Sequence, residues 1–223
     1  TTFNAAVGST DELSSLTVQG FSAYASGNTV INAGSINTTG NQTYNNPVTL
    51  VSDTTLNSSA SGAVTFNSTV DTDPAATALR ALTINSDGVT TFNAAVGATR
   101  ELSSLTIQGF TNPDDGNTVI NAGSINTAGD QTYNNPVTLL SDTILNSSDA
   151  GAVTFNSTVD TDSAAATLRS LTINSDGVTT FNAAVGDTRE LSSLTIQGFT
   201  NAADGNTDRK STRLNSSHLG ISR

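Results

Sequence analysis

The chain contains no cysteine, no methionine and no tryptophan, and each absence excludes something. Without cysteine there is neither a disulfide framework nor a cysteine-based zinc or redox site. Without methionine, Thr1 is not expected to be a natural start. Lysine occurs once, at Lys210, and histidine once, at His218. Residues 1–207 therefore hold no imidazole or ε-amine on which metal binding or acid–base chemistry could rest. Cations are scarce overall, and the formal net charge of −11 is a poor match to nucleic-acid phosphates. No apolar run approaches the ~20 residues of a helical membrane span, so no membrane insertion is expected of this segment.

What fills the chain instead is Thr, Ser and Asn, at 90 of the 223 positions, arranged in a repeat. Thr1-Thr2-Phe3-Asn4-Ala5-Ala6-Val7-Gly8 recurs at Thr90 to Gly97 and at Thr179 to Gly186, 89 residues apart each time. Residues 1–89 and 90–178 are identical at 71 of 89 positions, and 179–207 differ from 90–118 at Asp187, Ala202 and Ala203 only. Fixed-period self-similarity points to a solenoid or an array. The organisation read from it is repeat one at 1–89, repeat two at 90–178 and a partial third at 179–207.

A period of 89 also fits one immunoglobulin-like sandwich of ~100 residues, so a tandem β-sandwich array is the alternative. A shorter repeat nested inside the long one favours the solenoid. Thr-(Phe/Tyr)-Asn-x-x-Val occurs at Thr2–Val7, Thr43–Val48 and Thr65–Val70, and restarts at Thr91. Apolar–amide pairs stand at Val18-Gln19, Ile36-Asn37, Leu56-Asn57 and Ile84-Asn85, with steps of 18, 20, 28 and then 23 residues to Ile107. These predict an all-β parallel β-helix with about four coils per repeat. Val64-Thr65-Phe66-Asn67 and Leu82-Thr83-Ile84-Asn85 alternate with the period of a strand, putting Thr and Asn outside. Asp87-Gly88, Ser61-Gly62 and Thr39-Gly40 mark the corners. Stacking brings Tyr44, Phe66 and Phe92 into one internal column and the outward amides into ladders. Pro47 and Pro136 sit inside a strand motif, where proline forfeits a ladder bond. Residues 71–82 read as a loop or short helical turn bulging from one coil.

Carboxylates are the only candidates for chemistry. Asp71 with Asp73, and Asp160 with Asp162, form Asp-Thr-Asp pairs, and residues two apart in a strand share a face. Such pairs suit calcium or glycoside chemistry, but a solvated acidic loop beside the Ala-rich bulge is the favoured reading. Asp114-Asp115-Gly116-Asn117 resembles part of a calcium loop, although the other copies lack one or both acids. No catalytic residue, cofactor or obligatory metal is expected, with calcium at these six aspartates as the exception to test. Arg100-Glu101 and Arg189-Glu190 read as surface pairs, worth ~0–1 kcal/mol. Asn41-Gln42-Thr43, Asn57-Ser58-Ser59 and Asn67-Ser68-Thr69 fit the glycosylation pattern, as this composition dictates, and receive no role. An outward threonine face suits the ordering of water, but the uneven coil lengths argue against a regular lattice.

The repeat breaks off at Thr207. Earlier copies continue Val30-Ile31-Asn32 and Val119-Ile120-Asn121, whereas here the chain reads Asp208-Arg209-Lys210-Ser211-Thr212-Arg213-Leu214-Asn215-Ser216-Ser217-His218. That string resembles the translation of a short-read sequencing adapter, and 208–223 are read as a non-native tail. Setting them aside leaves four Arg against eighteen Asp and Glu, a net charge of −14.

The alternation of Leu-Thr-Ile-Asn-Ser-Asp-Gly-Val-Thr-Thr-Phe-Asn, Gly-Ser-Ile-Asn-Thr and Asp-Thr-x-Leu-Asn-Ser-Ser over 1–207 resembles the β-strand repeats of bacterial filamentous-haemagglutinin and autotransporter-like surface adhesins. The resemblance implies a right-handed parallel β-helix serving as a non-enzymatic stalk. It places the protein outside the cell, secreted or at the bacterial outer-membrane surface. Its implied partners are neighbouring repeats of a longer protein and host-surface or extracellular polysaccharide ligands. A fragment of a carbohydrate-active β-helix enzyme is the alternative. Near-identical copies argue against it, because an active site is a unique constellation.

Overall fold

A computed structural model of the chain describes residues 1–20 and 27–200, and the backbone of 206–209. It is all-β, and its strands pair only in parallel, each with strands of the coils before and after it. The chain winds into a three-faced β-solenoid. Face one carries Thr2–Phe3, Thr29–Ile31, Val48–Leu50 and Val70–Thr72, then Ser124–Thr127, Thr143–Ser147, Ser170–Ser175 and Ser193–Gln197. Val96 links its two halves, bridging to Val70 on one side and Ile125 on the other. Face two stacks Ser35–Thr38, Thr54–Ser58, Ala81–Ser86, Ser104–Gln108, Gln131–Tyr133, Val153–Phe155, Val178–Phe181 and Asn206–Arg209. Face three stacks Leu16–Val18, Gln42–Tyr44, Val64–Phe66, Val89–Phe92, Asn117–Ile120, Val137–Leu139 and Val159–Thr161.

The first repeat contributes ten strands and the short bridge at Val7, making eleven face segments. At three segments per turn that is three and two-thirds turns, close to the four expected. The missing third lies in the step from Val18 to Ile36, which runs from face three to face two through face one and is not a full turn. Consequently each repeat begins one face over from the last. Tyr44, Phe66 and Phe92 stack on face three, with ring centroids 5.1 and 5.3 Å apart. Their equivalents Tyr133, Phe155 and Phe181 stack on face two at 5.0 Å each. With coils ~4.8 Å apart, one repeat advances ~18 Å along the axis and turns by a third of a revolution.

The core is one continuous column of inward aliphatic and aromatic side chains, with Ile36, Leu56, Ile84, Ile107 and Tyr133 fully buried in succession on face two. It also encloses a polar network. The Tyr44 hydroxyl donates to Gln42 Oε1 at 2.8 Å, and Gln42 Nε2 donates to the Asn57 carbonyl at 2.8 Å. Tyr133 and Gln131 repeat the arrangement. Burial pushes both phenols far above their ordinary pKa, so they stay neutral donors. Corners close on glycine. A Cβ on Gly62 would stand 2.2 Å from the Gly40 carbonyl carbon, and one on Gly88 2.5 Å from the Ser61 carbonyl oxygen.

One expectation needs correction. Pro47 and Pro136 lie at the corners just before Val48–Leu50 and Val137–Leu139, outside the strands. Their missing N–H is not needed there, while their carbonyls accept from Thr29 N and Thr118 N at 2.8 Å. Of the loop or short helical turn expected over 71–82, the structure shows the loop, narrowed to residues 73–80 between two strands. In the terminal segment, Asp208 and Arg209 take the register positions of Val119 and Ile120, paired with Thr180 and Phe181. Residues 210–223, the remainder of the tail, lie outside the described residues.

Candidate functional site

The six candidate aspartates are dispersed. Asp71 lies on face one and Asp160 on face three, because the repeat turns by one face. Five of the six carboxylates accept hydrogen bonds from their own chain. Asp71 Oδ1 accepts from Thr99 N at 2.8 Å and Arg100 N at 3.3 Å. Asp160 Oδ1 accepts from Thr188 N at 2.9 Å and Arg189 N at 3.2 Å. Asp73 and Asp162 close their own turns, accepting from Ala75 N at 3.0 Å and Ala164 N at 3.3 Å. Asp115 accepts from the Asn112 amide at 2.8 Å, and Asp114 is exposed beside it. Among the described residues, no three acidic or other metal-ligating side chains gather into one cluster. Asp160 and Asp162 do share an open groove of about 540 Å³ with Thr138, Asn117 and Thr188.

The arginines do not form the expected pairs with their glutamate neighbours. Successive residues of an extended chain point to opposite sides, and the two side chains part accordingly. Arg100 Nη1 donates to the Asp73, Pro74 and Ala76 carbonyls at 2.8, 3.0 and 2.7 Å, stitching the 73–80 loop to the next coil. Glu101 instead accepts from Ser148 Oγ at 2.8 Å. Arg189 reaches the Ser163 and Ala165 carbonyls in the second repeat. This stitching has no signature in local sequence, since donor and acceptors are separated by a full turn.

The most extended ordered surface is the outside of face two. In its motif Thr-(apolar)-Asn the middle residue points inward and the flanking pair outward. Register aligns Ser35, Thr55, Thr83, Thr106, Thr132, Thr154 and Thr180 in one file. Beside it runs a file of seven amides bonded in sequence. Asn57 donates to Asn37 at 2.7 Å, Asn85 to Asn57 at 2.7 Å and Gln108 to Asn85 at 3.0 Å. Asn134 then donates to Gln108 at 3.1 Å, Asn156 to Asn134 at 2.6 Å and Asn182 to Asn156 at 2.6 Å. A shorter ladder on face three joins Asn45, Asn67, Asn93 and Asn121. The third, on face one, joins Asn126, Asn146 and Asn174.

Acidic side chains also act as loop anchors at the corners. Asp87 accepts from Phe110 N at 2.6 Å, Thr111 N at 2.9 Å and Thr111 Oγ1 at 2.6 Å. Those bonds, led by the one from the Thr111 hydroxyl, hold its carboxyl below the ordinary range. Asp176 and Thr200 repeat the arrangement. Set against known proteins, the chain matches no family model, no curated protein and no solved structure.

Proposed function

We propose that this chain is a stretch of non-enzymatic stalk from a large secreted or surface-exposed bacterial protein of the adhesin kind. The observation that carries the reading is the rotation of near-identical repeats. Duplicating a sequence that turns by one face places the same side chains at a new azimuth each time, which lengthens a rod without building a site. The acidic pairs fit that role, since Asp71 and Asp160 secure the following coil while Asp73 and Asp162 close their own turns. A core of buried hydrocarbon and hydrogen-bonded ladders gives the stiffness a spacer needs, each coil depending on its neighbours.

Exposure on intact cells tests the location. Antibody raised against residues 1–207 should label unpermeabilised source cells, and external protease should remove the signal. Signal found only after lysis would refute a surface stalk. The non-enzymatic part is tested on acidic and neutral polysaccharides, where no turnover is expected. Turnover that disappears in the Asp160→Asn, Asp162→Asn double variant would establish a β-helix enzyme instead.

A further inference from the structure

We propose that face two is an ice-binding surface, a function separate from any role as a stalk. Uneven coil lengths would spoil a lattice if they displaced the strands, and they do not. Between Ile36 and Phe181 the chain takes between 20 and 28 residues to return to this face. Even so, Ser35, Thr55, Thr83, Thr106, Thr132, Thr154 and Thr180 stay in register without a bulge. The variation is absorbed by corners and by the 73–80 loop. The result is a two-column array of hydroxyls and amides, seven rungs long, with rungs ~4.8 Å apart and the columns ~6.6 Å apart.

Three properties suit this array to a solid water lattice. First, none of its fourteen outward positions ionises in a chain of net charge −11, and the file reaches an acidic residue only beyond them, at Asp208 in register with Thr180. Second, its hydroxyl file is available, because none of the six threonines makes a side-chain hydrogen bond among the described residues, whereas Thr38 and Thr118 are bonded within the protein. Third, it is held in place before any ligand arrives. The threonines are β-branched and stiff at χ1, and every amide is fixed by its neighbours in the ladder. Preorganisation lowers the cost of binding, and its benefit grows with the number of repeated contacts. A soluble ligand uses a few rungs; a crystal face uses all seven.

The other faces are poorer. Face three changes to Val119 and then to Asp160 and Asp162, and face one is broken by Asp71, Asp73 and Ile144. An acidic or bulky apolar group at those positions interrupts the repeat of hydroxyls that the lattice would meet.

The test uses the full chain, with ice-crystal shaping and thermal hysteresis read in an osmometer and folding followed by far-UV circular dichroism. The expected result is faceted ice and a measurable hysteresis gap, both lost in Thr106→Lys and Thr132→Lys and kept in Thr77→Lys on the exposed loop. Should the lysine variants unfold, Thr106→Tyr and Thr132→Tyr retain strand preference while their rings break the array, and the same loss is expected. Folded chain without shaping or hysteresis would overturn the proposal, as would full activity in folded face-two variants. Retention on insoluble neutral polysaccharide without ice activity would also overturn it, and would assign the face to glycans.

Discussion

Asn85 donates its side-chain amide to Asn57 Oδ1 at 2.7 Å and accepts from Gln108 Nε2 at 3.0 Å. It is therefore a central link in a ladder that crosses seven coils, and its loss strands a partner on each side. Replacing it by Ala should cost about 1–3 kcal/mol, the usual penalty when half-buried polar groups lose their partners. Asn85→Gln should cost less than half as much, because the ladder already accommodates Gln108. Urea midpoints of the three proteins check this. Equal midpoints for Asn85→Ala and the parent chain would mean the ladder contributes nothing.

Phe66 lies between Tyr44 and Phe92, nearly parallel to both, with interplanar angles of 12° and 2°. It is 1% exposed. Truncation to Ala opens a cavity bounded above and below by ring faces that cannot close on it, and should cost ~3–5 kcal/mol. Phe66→Leu retains most of the volume and should cost under ~1.5 kcal/mol. Thermal melts of both variants decide whether the column contributes as a stack or only as generic burial.

Much of this was legible in the residues because the ladders and stacks are built from side chains that recur one coil apart. Thr43-Tyr44-Asn45, Thr65-Phe66-Asn67 and Thr91-Phe92-Asn93 state both their strand phase and their stacking partners. The turn count came out near four because three of the four spacings are complete turns. The short step from Val18 to Ile36 concealed the rotation, since an apolar–amide pair looks alike on any face. The arginine stitches were illegible for another reason. Arg100 acts on carbonyls, which every residue has, so nothing in the composition of 73–76 marks them as its partners. The aspartate pairs were ambiguous in the residues because a carboxylate that anchors backbone amides and one that binds a cation look the same in one dimension.

Gly62 and Gly34 make a contrasting pair. A Cβ at Gly62 would meet Gly40 backbone at 2.2 Å, while one at Gly34 would meet nothing within 4 Å. Gly62→Ala therefore requires two coils to move apart at a corner that must stay in register, and should destabilise the chain by ~1–3 kcal/mol as overpacking does. Gly34→Ala should be neutral or stabilise by ~0.4–1 kcal/mol through the unfolded chain. Chemical denaturation of both distinguishes coil spacing from backbone freedom, and similar losses at the two sites would count against close coil contact at Gly62.

Asp87 gives the fold an acid-sensitive contact. Its carboxyl is depressed below the ordinary range, first by the Thr111 hydroxyl and then by the Thr111 amide. A carboxylate with a lower pKa in the folded state binds protons less readily there than in the unfolded chain. Its contribution is present above the unfolded value of ~3.9 and is lost as pH falls through the depressed folded value. The group is exposed, so the effect belongs to the corner around Phe110 and Thr111, with the core beneath it unaffected. The Thr111 amide resonance should move with pH at an apparent midpoint below the ordinary Asp value. In Asp87→Asn that titration should vanish while the amide resonances of Ile84 and Ile107 stay in place. A midpoint at or above the ordinary value would show that the Thr111 bonds do not favour the charged carboxylate.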